Sequence, residues 1–180
     1  MRILLVGEYS RLHNSLKEGL IKLGHEVVII AQGDGFKAYP VDIKIDAPLF
    51  KHNYILRKIK NIAFLLFKVD LAGIELLFNL KRMTKNLQEF DVIQLINSNC
   101  FLTLPSIEKK IFNHLSKLSK KKFLKSAGND VYWVYYMLNK HQGYSSLTSY
   151  INDKKNLKKS FLSALKYTQK EYIEHYSFLI

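Results

Sequence analysis

An α/β fold, a Rossmann-like parallel sheet with helices on both faces, follows from three observations on the 180-residue chain. Continuous apolar runs of strand length occur at Ile3–Val6, at Val27–Ile30 and within "FDVIQLIN", as strands buried on both faces require. Between the first two runs, Leu12, Leu16, Leu20 and Leu23 recur at the spacing of one helix face. Strand-like and helix-like stretches then alternate to the end of the sequence, without repeats or an interior linker.

The elements follow in order. "MRILLVGEYSRLHNSLKEGLIKLGHEVVII" reads as strand, loop, helix, strand, with Gly7 ending the first strand and Gly24 at the helix C-cap. "AQGDGFKAYPVDIKIDAP" is loop, with room for a short strand at Val41–Ile45. Asn53 to Leu87 is helical, as two helices broken near Asp70 to Gly73, and Asp91 to Asn97 is the next buried strand. Ser106, with Pro105 just before it, is expected to cap a helix reaching Leu118. "KKFLKSAGND" is a strand into a polar turn. "VYWVYYML" and a lysine-rich stretch from Lys155 to His175 are helical, and "YSFLI" starts a further strand. The expectation is one domain over residues 1–180. A last strand with no helix to cover it leads to the expectation that this domain is one piece of a larger protein.

Composition narrows the function. Apolar residues make up 48% of the chain, ample for a core, and the single cysteine, Cys100, excludes an internal disulfide and a multi-cysteine metal site. The apolar run after Arg2 is too short for a signal peptide, and the best spanning candidate, "IAFLLFKVDLAGIELLFNL", carries Lys68, Asp70 and Glu75. A cytoplasmic protein is expected. Lys and Arg number 28 against 15 acidic residues, a formal charge of +13. That excess suits an anionic partner, nucleic acid or membrane, or is simply a lysine-rich solvated surface. Arginine, the better base reader, occurs only at positions 2, 11, 57 and 82, which argues against nucleic acid.

Familiar catalytic motifs are missing. The loop after the first strand is "GEYSRLHNS", not G-x-G-x-x-G, and the chain has no Walker lysine motif, C-x-x-C, H-E-x-x-H or G-x-S-x-G. The six histidines are scattered, so no metal is expected. Three strand ends remain. The first offers Gly7, Glu8, Ser10, His13 and Asn14 before a helix N-terminus that favours an anion; its ordinary reading is that Ser10 or Asn14 caps the helix. The second offers Asn97 and Ser98 with Asn99, ordinarily a polar turn. The third, "SAGND", offers Gly128, Asn129 and Asp130, where Asp130 also reads as a helix cap. Their shared place at the carboxyl ends of buried strands marks a ligand site.

The first 43 residues resemble the N-terminal start of GT-B glycosyltransferases, particularly the family-4-like group: a strand, a short loop, "L…GL…LGHEV", a second strand. "FDVIQLIN" stands where these enzymes have a "DVIHVHN"-like strand, and "FLKSAGND" where they have an "H-G-x-D"-like turn. The resemblance implies the acceptor-side half of an enzyme that transfers a sugar from a nucleotide sugar to a glycan or lipid-linked acceptor. A second Rossmann-like half, with an E-x7-E-type motif, would hold most of the donor, and no other cofactor is implied. Gly128 and Asp130 match the turn and Gly7 the loop glycine, but Ala127 replaces the turn's histidine, and Gln94 and Ile96 replace those of the strand. Asp130, Glu8 and His13 are the candidate bases, needed by an inverting enzyme and not by a retaining one.

Within Asn53 to Lys85, Arg57, Lys58 and Lys60 accompany Ile55, Ile59, Ile62 and Leu66 at helical spacing. The ordinary reading is core packing with a solvated lysine face; the alternative is a dock on anionic lipid at the inner face of the membrane. The rival to an enzyme is a non-catalytic α/β module whose basic surface holds an anionic partner.

Overall fold

Ile3–Val6, Val27–Ile30 and the run before Asn97 do pair side by side. The computed structural model describes residues 1–33 and 35–127, with positions 136, 137, 140 and 143 beyond them. The chain divides into two compact units, Met1–Lys125 and Ser126–Ile180, and the first contains the sheet. Its strands are β1 (Arg2–Val6), β2 (Glu26–Ala31), β3 (Ile43–Lys44), β4 (Val92–Leu95) and β5 (Lys121–Leu124), all parallel, in the order β3-β2-β1-β4-β5. The register sets Leu4 beside Val28 and Ile93, and Val6 beside Ile30 and Leu95. The helices are α1 (Leu12–Lys22), α2 (Pro48–His52), α3 (Tyr54–Phe67), α4 (Leu71–Met83) and α5 (Pro105–Leu115).

Both faces of the central strands are covered. Leu16 and Leu20 of α1 pack on Ile3, Leu5, Val27, Ile29 and Ala31. Successive strand residues alternate sides, so Leu4, Val6 and Ile30, which are also fully buried, face the other way. The chain crosses from β1 to β2 through α1, and in the opposite direction from β4 to β5 through α5. Right-handed crossovers therefore put α1 and α5 on opposite faces. α4 packs beside α5, and Leu76, Leu80, Ile107 and Ile111 of this pair are buried.

Gly24 closes α1 as expected. At φ +80° it lets its N–H donate to the Ile21 carbonyl at 2.9 Å and the His25 N–H to that of Leu20 at 3.1 Å, a Schellman closure. Three expectations are corrected. The strand at Val41–Ile45 contracts to Ile43–Lys44. The break between the long helices falls at Lys68–Asp70 rather than Asp70–Gly73, because the Asp70 carboxylate accepts the Gly73 N–H at 2.9 Å and starts α4. Ser106 does not cap α5: Pro105 is its first residue, where its missing N–H costs nothing, and Leu104 holds the cap position. The helices expected in "VYWVYYML" and from Lys155 to His175, and the strand in "YSFLI", lie outside the described residues, single positions apart.

α3 departs most from expectation. It is fourteen residues long and none of them is buried. Ile55, Ile59, Ile62 and Leu66, the stripe whose ordinary place is a core, are 66%, 46%, 54% and 64% exposed. No helix among the described residues is long and apolar enough to cross a membrane.

Candidate functional site

In this strand order β1 and β4 are neighbours from which the chain departs to opposite sides, so the crevice of the sheet opens at their carboxyl ends. Two loops meet there. Gly7 adopts φ +85°, and a Cβ on it would lie 2.5 Å from Ile96 Cγ2 and 3.3 Å from Cys100 Cβ. Only glycine permits both the conformation and the approach. The Tyr9 hydroxyl donates to the Asn99 carbonyl at 2.7 Å, tying the same loops again. Ser10 and Arg11 follow at φ 51° and 64°, a left-handed pair of the kind that persists where surrounding contacts over-determine it.

Glu8 is 2% exposed. Its Oε2 accepts from the Asn14 backbone N–H at 2.8 Å and from Asn14 Nδ2 at 2.5 Å, and the same amide also donates to the Pro40 carbonyl at 3.0 Å. Asn14 is the third residue of α1, and the cap position, Arg11, makes no side-chain cap bond. The anion that this helix N-terminus attracts is thus the chain's own Glu8 carboxylate. Neither Ser10 nor Asn14 serves as the cap. Ser10 instead receives the Lys37 ammonium at 3.1 Å.

His13 is fully buried. Its Nδ1–H donates to the Gly7 carbonyl at 2.6 Å, and Gln94 Nε2 lies 3.3 Å from its Nε2, which accepts. Burial lowers its pKa to about 4, and Lys125 adds to the effect against the Gly7 contact. The neutral ring therefore clamps Gly7 to β4.

On the other loop Asn97 and Ser98 are buried. The Asn97 side-chain oxygen accepts the Asn99 N–H at 2.8 Å, and the Cys100 thiol donates to the Asn97 carbonyl at 3.0 Å. Glu108, from α5, holds the rest of this loop: one carboxylate oxygen accepts the Phe101 N–H at 3.0 Å, the Thr103 N–H at 3.1 Å and the Thr103 hydroxyl at 3.1 Å. Burial pushes Glu108 up to about 7, and these bonds pull against it. Sequence reading missed Glu108. An acid in the first turn of an amphipathic helix looks like a solvated dipole partner, and nothing local reveals that it turns inward.

Two buried side-chain atoms of the described residues have no hydrogen-bond partner, Glu8 Oε1 and Asn99 Oδ1. Both are acceptors, and they sit on the two loops that Gly7 and Tyr9 bring together. A buried acceptor left open costs free energy. Each can accept only from a donor, a hydroxyl or an N–H, and not from a phosphate, which offers only more acceptors.

Of the expected site residues, Gly7, Glu8, Ser10, His13, Asn14, Asn97 and Ser98 gather at this sheet edge. Gly128, Asn129 and Asp130 lie outside the described residues, and Arg57, Lys58 and Lys60 stand apart on α3. An open cavity of about 230 Å³ beside α1, lined by Lys17, Ile21, Val41 and Asp42, shares only Asn14 with the site. Among the described residues no three His, Cys, Asp or Glu side chains come together as a metal site would need. The fold defines a Rossmann-like α/β protein whose sheet carries buried polar side chains at its carboxyl edge. No protein-family model matches the chain, nor does any curated protein or solved structure.

Proposed function

We propose that this chain is the acceptor-side half of a cytoplasmic GT-B glycosyltransferase, holding the hydroxyl that receives the sugar. The observation that carries the reading is the pair of open acceptors, Glu8 Oε1 and Asn99 Oδ1, at the switch point of a parallel sheet. In glycosyl transfer a bond forms between the acceptor oxygen and the anomeric carbon as the bond to the nucleotide diphosphate breaks. The acceptor hydroxyl loses its proton, and the leaving diphosphate gains negative charge. Glu8 Oε1 orients that hydroxyl, and in an inverting enzyme it accepts the proton. His13, with both ring nitrogens engaged, positions the Gly7–Glu8 loop. Because Glu8 already occupies the N-terminus of α1, the diphosphate belongs to a second, opposing half. Asp130, outside the described residues, is assigned a role only by the resemblance, as the carboxylate of the "H-G-x-D"-like turn.

The test compares the 180-residue chain with the same chain joined to its second half. The joined protein should be stabilised by one of the UDP-, GDP- or dTDP-sugars, and a ligand at about a hundred times its Kd adds about 2.7 kcal/mol, several degrees of melting temperature for a domain of this size. The 180-residue chain should show no shift. Asp130→Ala in the joined protein should cut turnover tenfold or more. A robust shift with the chain alone would replace this reading by a self-contained nucleotide-binding protein.

A further inference from the structure

The bare stripe of α3 has the spacing of a helix pair. Ile55, Ile59, Ile62 and Leu66 are separated by four, three and four residues, the alternation of a coiled-coil seam and narrower than the face a helix usually turns to a core. All four are exposed, as is Leu65 on the flank of the same stripe, and no residue of α3 is buried. Together these five side chains put on the order of 500 Å² of apolar surface on one side of the helix, about the apolar share of a standard interface of about 800 Å² per partner.

Charge decides how a second seam can lie on this one. Arg57, Lys58 and Lys60 all stand in the first half of α3, which contains no acidic residue. Two copies packed in parallel would set each cation beside its own counterpart, and like charges so placed are costly. Antiparallel, with a two-fold axis between Ile59 and Ile62, the levels exchange. Ile55 then lies level with Leu66 of the second copy, Ile59 with its Ile62, Arg57 with its Phe64 and Lys58 with its Ala63. The basic half of each helix runs along the uncharged half of the other. The Lys58 ammonium and the Arg57 guanidinium also lie over the Tyr54 ring, 4.6 Å and 5.6 Å from its centre. That contact draws both heads toward the start of the helix and away from the axis. From these observations we infer that two copies of this chain associate through α3 as an antiparallel pair, a closed isologous dimer. In the separated monomer the seam is bare, so there it adds little to folding, and losing it acts on association. The inference does not depend on the glycosyltransferase reading, which its test leaves untouched.

Sedimentation of the full 180-residue chain over a range of concentrations tests it. Wild type should pass from monomer to dimer between micromolar and submillimolar concentration. Ile59→Asp/Ile62→Asp gathers carboxylates from both copies around the axis and should stay monomeric across that range, with the melting temperature of dilute wild type. Cysteines report the direction of pairing, selectively because Cys100 is buried. Ile55→Cys and Leu66→Cys chains oxidised together should give a mixed disulfide-linked dimer, and either chain oxidised alone should give little. This cross-link decides the matter even if the aspartate variant does not fold. Three results would overturn the inference: a wild type that is monomeric at every concentration, whether or not it floats with phospholipid vesicles; a folded aspartate variant that associates as wild type does; or cysteine chains that link to themselves and not to each other.

Discussion

The carboxyl edge of the sheet and the α3–α4 corner invert the usual distribution of side chains in opposite senses. At the sheet edge the chain buries what normally faces water: Glu8, His13, Asn97, Ser98 and Glu108. At the corner it exposes what is normally buried: Ile55, Ile62, Leu65, Leu66 and Phe67. The first inversion is supported from within: of the buried side-chain nitrogen and oxygen atoms of the described residues, only two acceptors remain open. The second has no such support among the described residues. A polar group can be satisfied by a few directed bonds from its own chain, whereas apolar surface is satisfied only by area removed from water. Buried polarity thus marks an organised site, and exposed apolarity marks a contact made with something else.

This comparison can be broken at several points. The largest effect is expected at Gly7→Val, where a side chain at φ +85° meets Ile96 at 2.5 Å. A loss of about 4 kcal/mol or more in urea unfolding is expected, and a mild loss would show that the two loops are not clamped. Leu80→Ala, at a fully buried position of α4, should cost about 2–5 kcal/mol.

The buried acids and bases give the next effect. Glu108 goes from its ordinary 4.5 to about 7 on folding, so its contribution is complete below about pH 4.5 and is lost as pH rises through 7. His13 goes from 6.5 to about 4, so its contribution is complete above about pH 6.5 and is lost as pH falls through 4. The two oppose one another, so their contributions largely cancel between these limits. Glu108→Gln keeps the acceptor and removes one slope, so its stability should climb from pH 4 to 6.5 by an amount on the order of 3 kcal/mol. Parallel curves for the variant and wild type would mean that Glu108 does not titrate in this range.

Glu8→Ala removes both bonds to Asn14 and should cost about 1–3 kcal/mol, read as a lowered melting temperature. The smallest effect belongs to the corner. Leu66→Ala, at a position 64% exposed, should change stability by no more than about 0.5 kcal/mol. The contrast with Leu80→Ala measures how far α3 stands outside the core, and a large loss at Leu66 would return the stripe to the interior.

The central strands and α1 were legible because their signals are local. Apolar runs such as Ile3–Val6 need no partner to be recognised, and Gly24 announces the end of α1 by its own conformational freedom. The crevice was legible as a place, since the carboxyl ends of parallel strands follow from strand order. Its chemistry was less so. The sequence leaves open whether Ser10 or Asn14 caps α1, and the residue that reaches the helix N-terminus is Glu8, from beyond the turn. Glu108 gave no signal, and Gln94 stood out only as the replacement of a histidine, because their importance depends on an amide and a ring supplied by other elements.

By itself the sequence determined the βαβ alternation, the strands at the centre of the sheet, the glycine that closes α1, and the amphipathic pattern of α3. All of these depend on the periodicity or backbone freedom of a few neighbouring residues. Only the tertiary structure decided which way the α3 stripe faces, which two acceptors stay open and which acid is buried. A helical pattern fixes that an apolar face exists, but what covers that face, or leaves it bare, depends on elements distant in the chain.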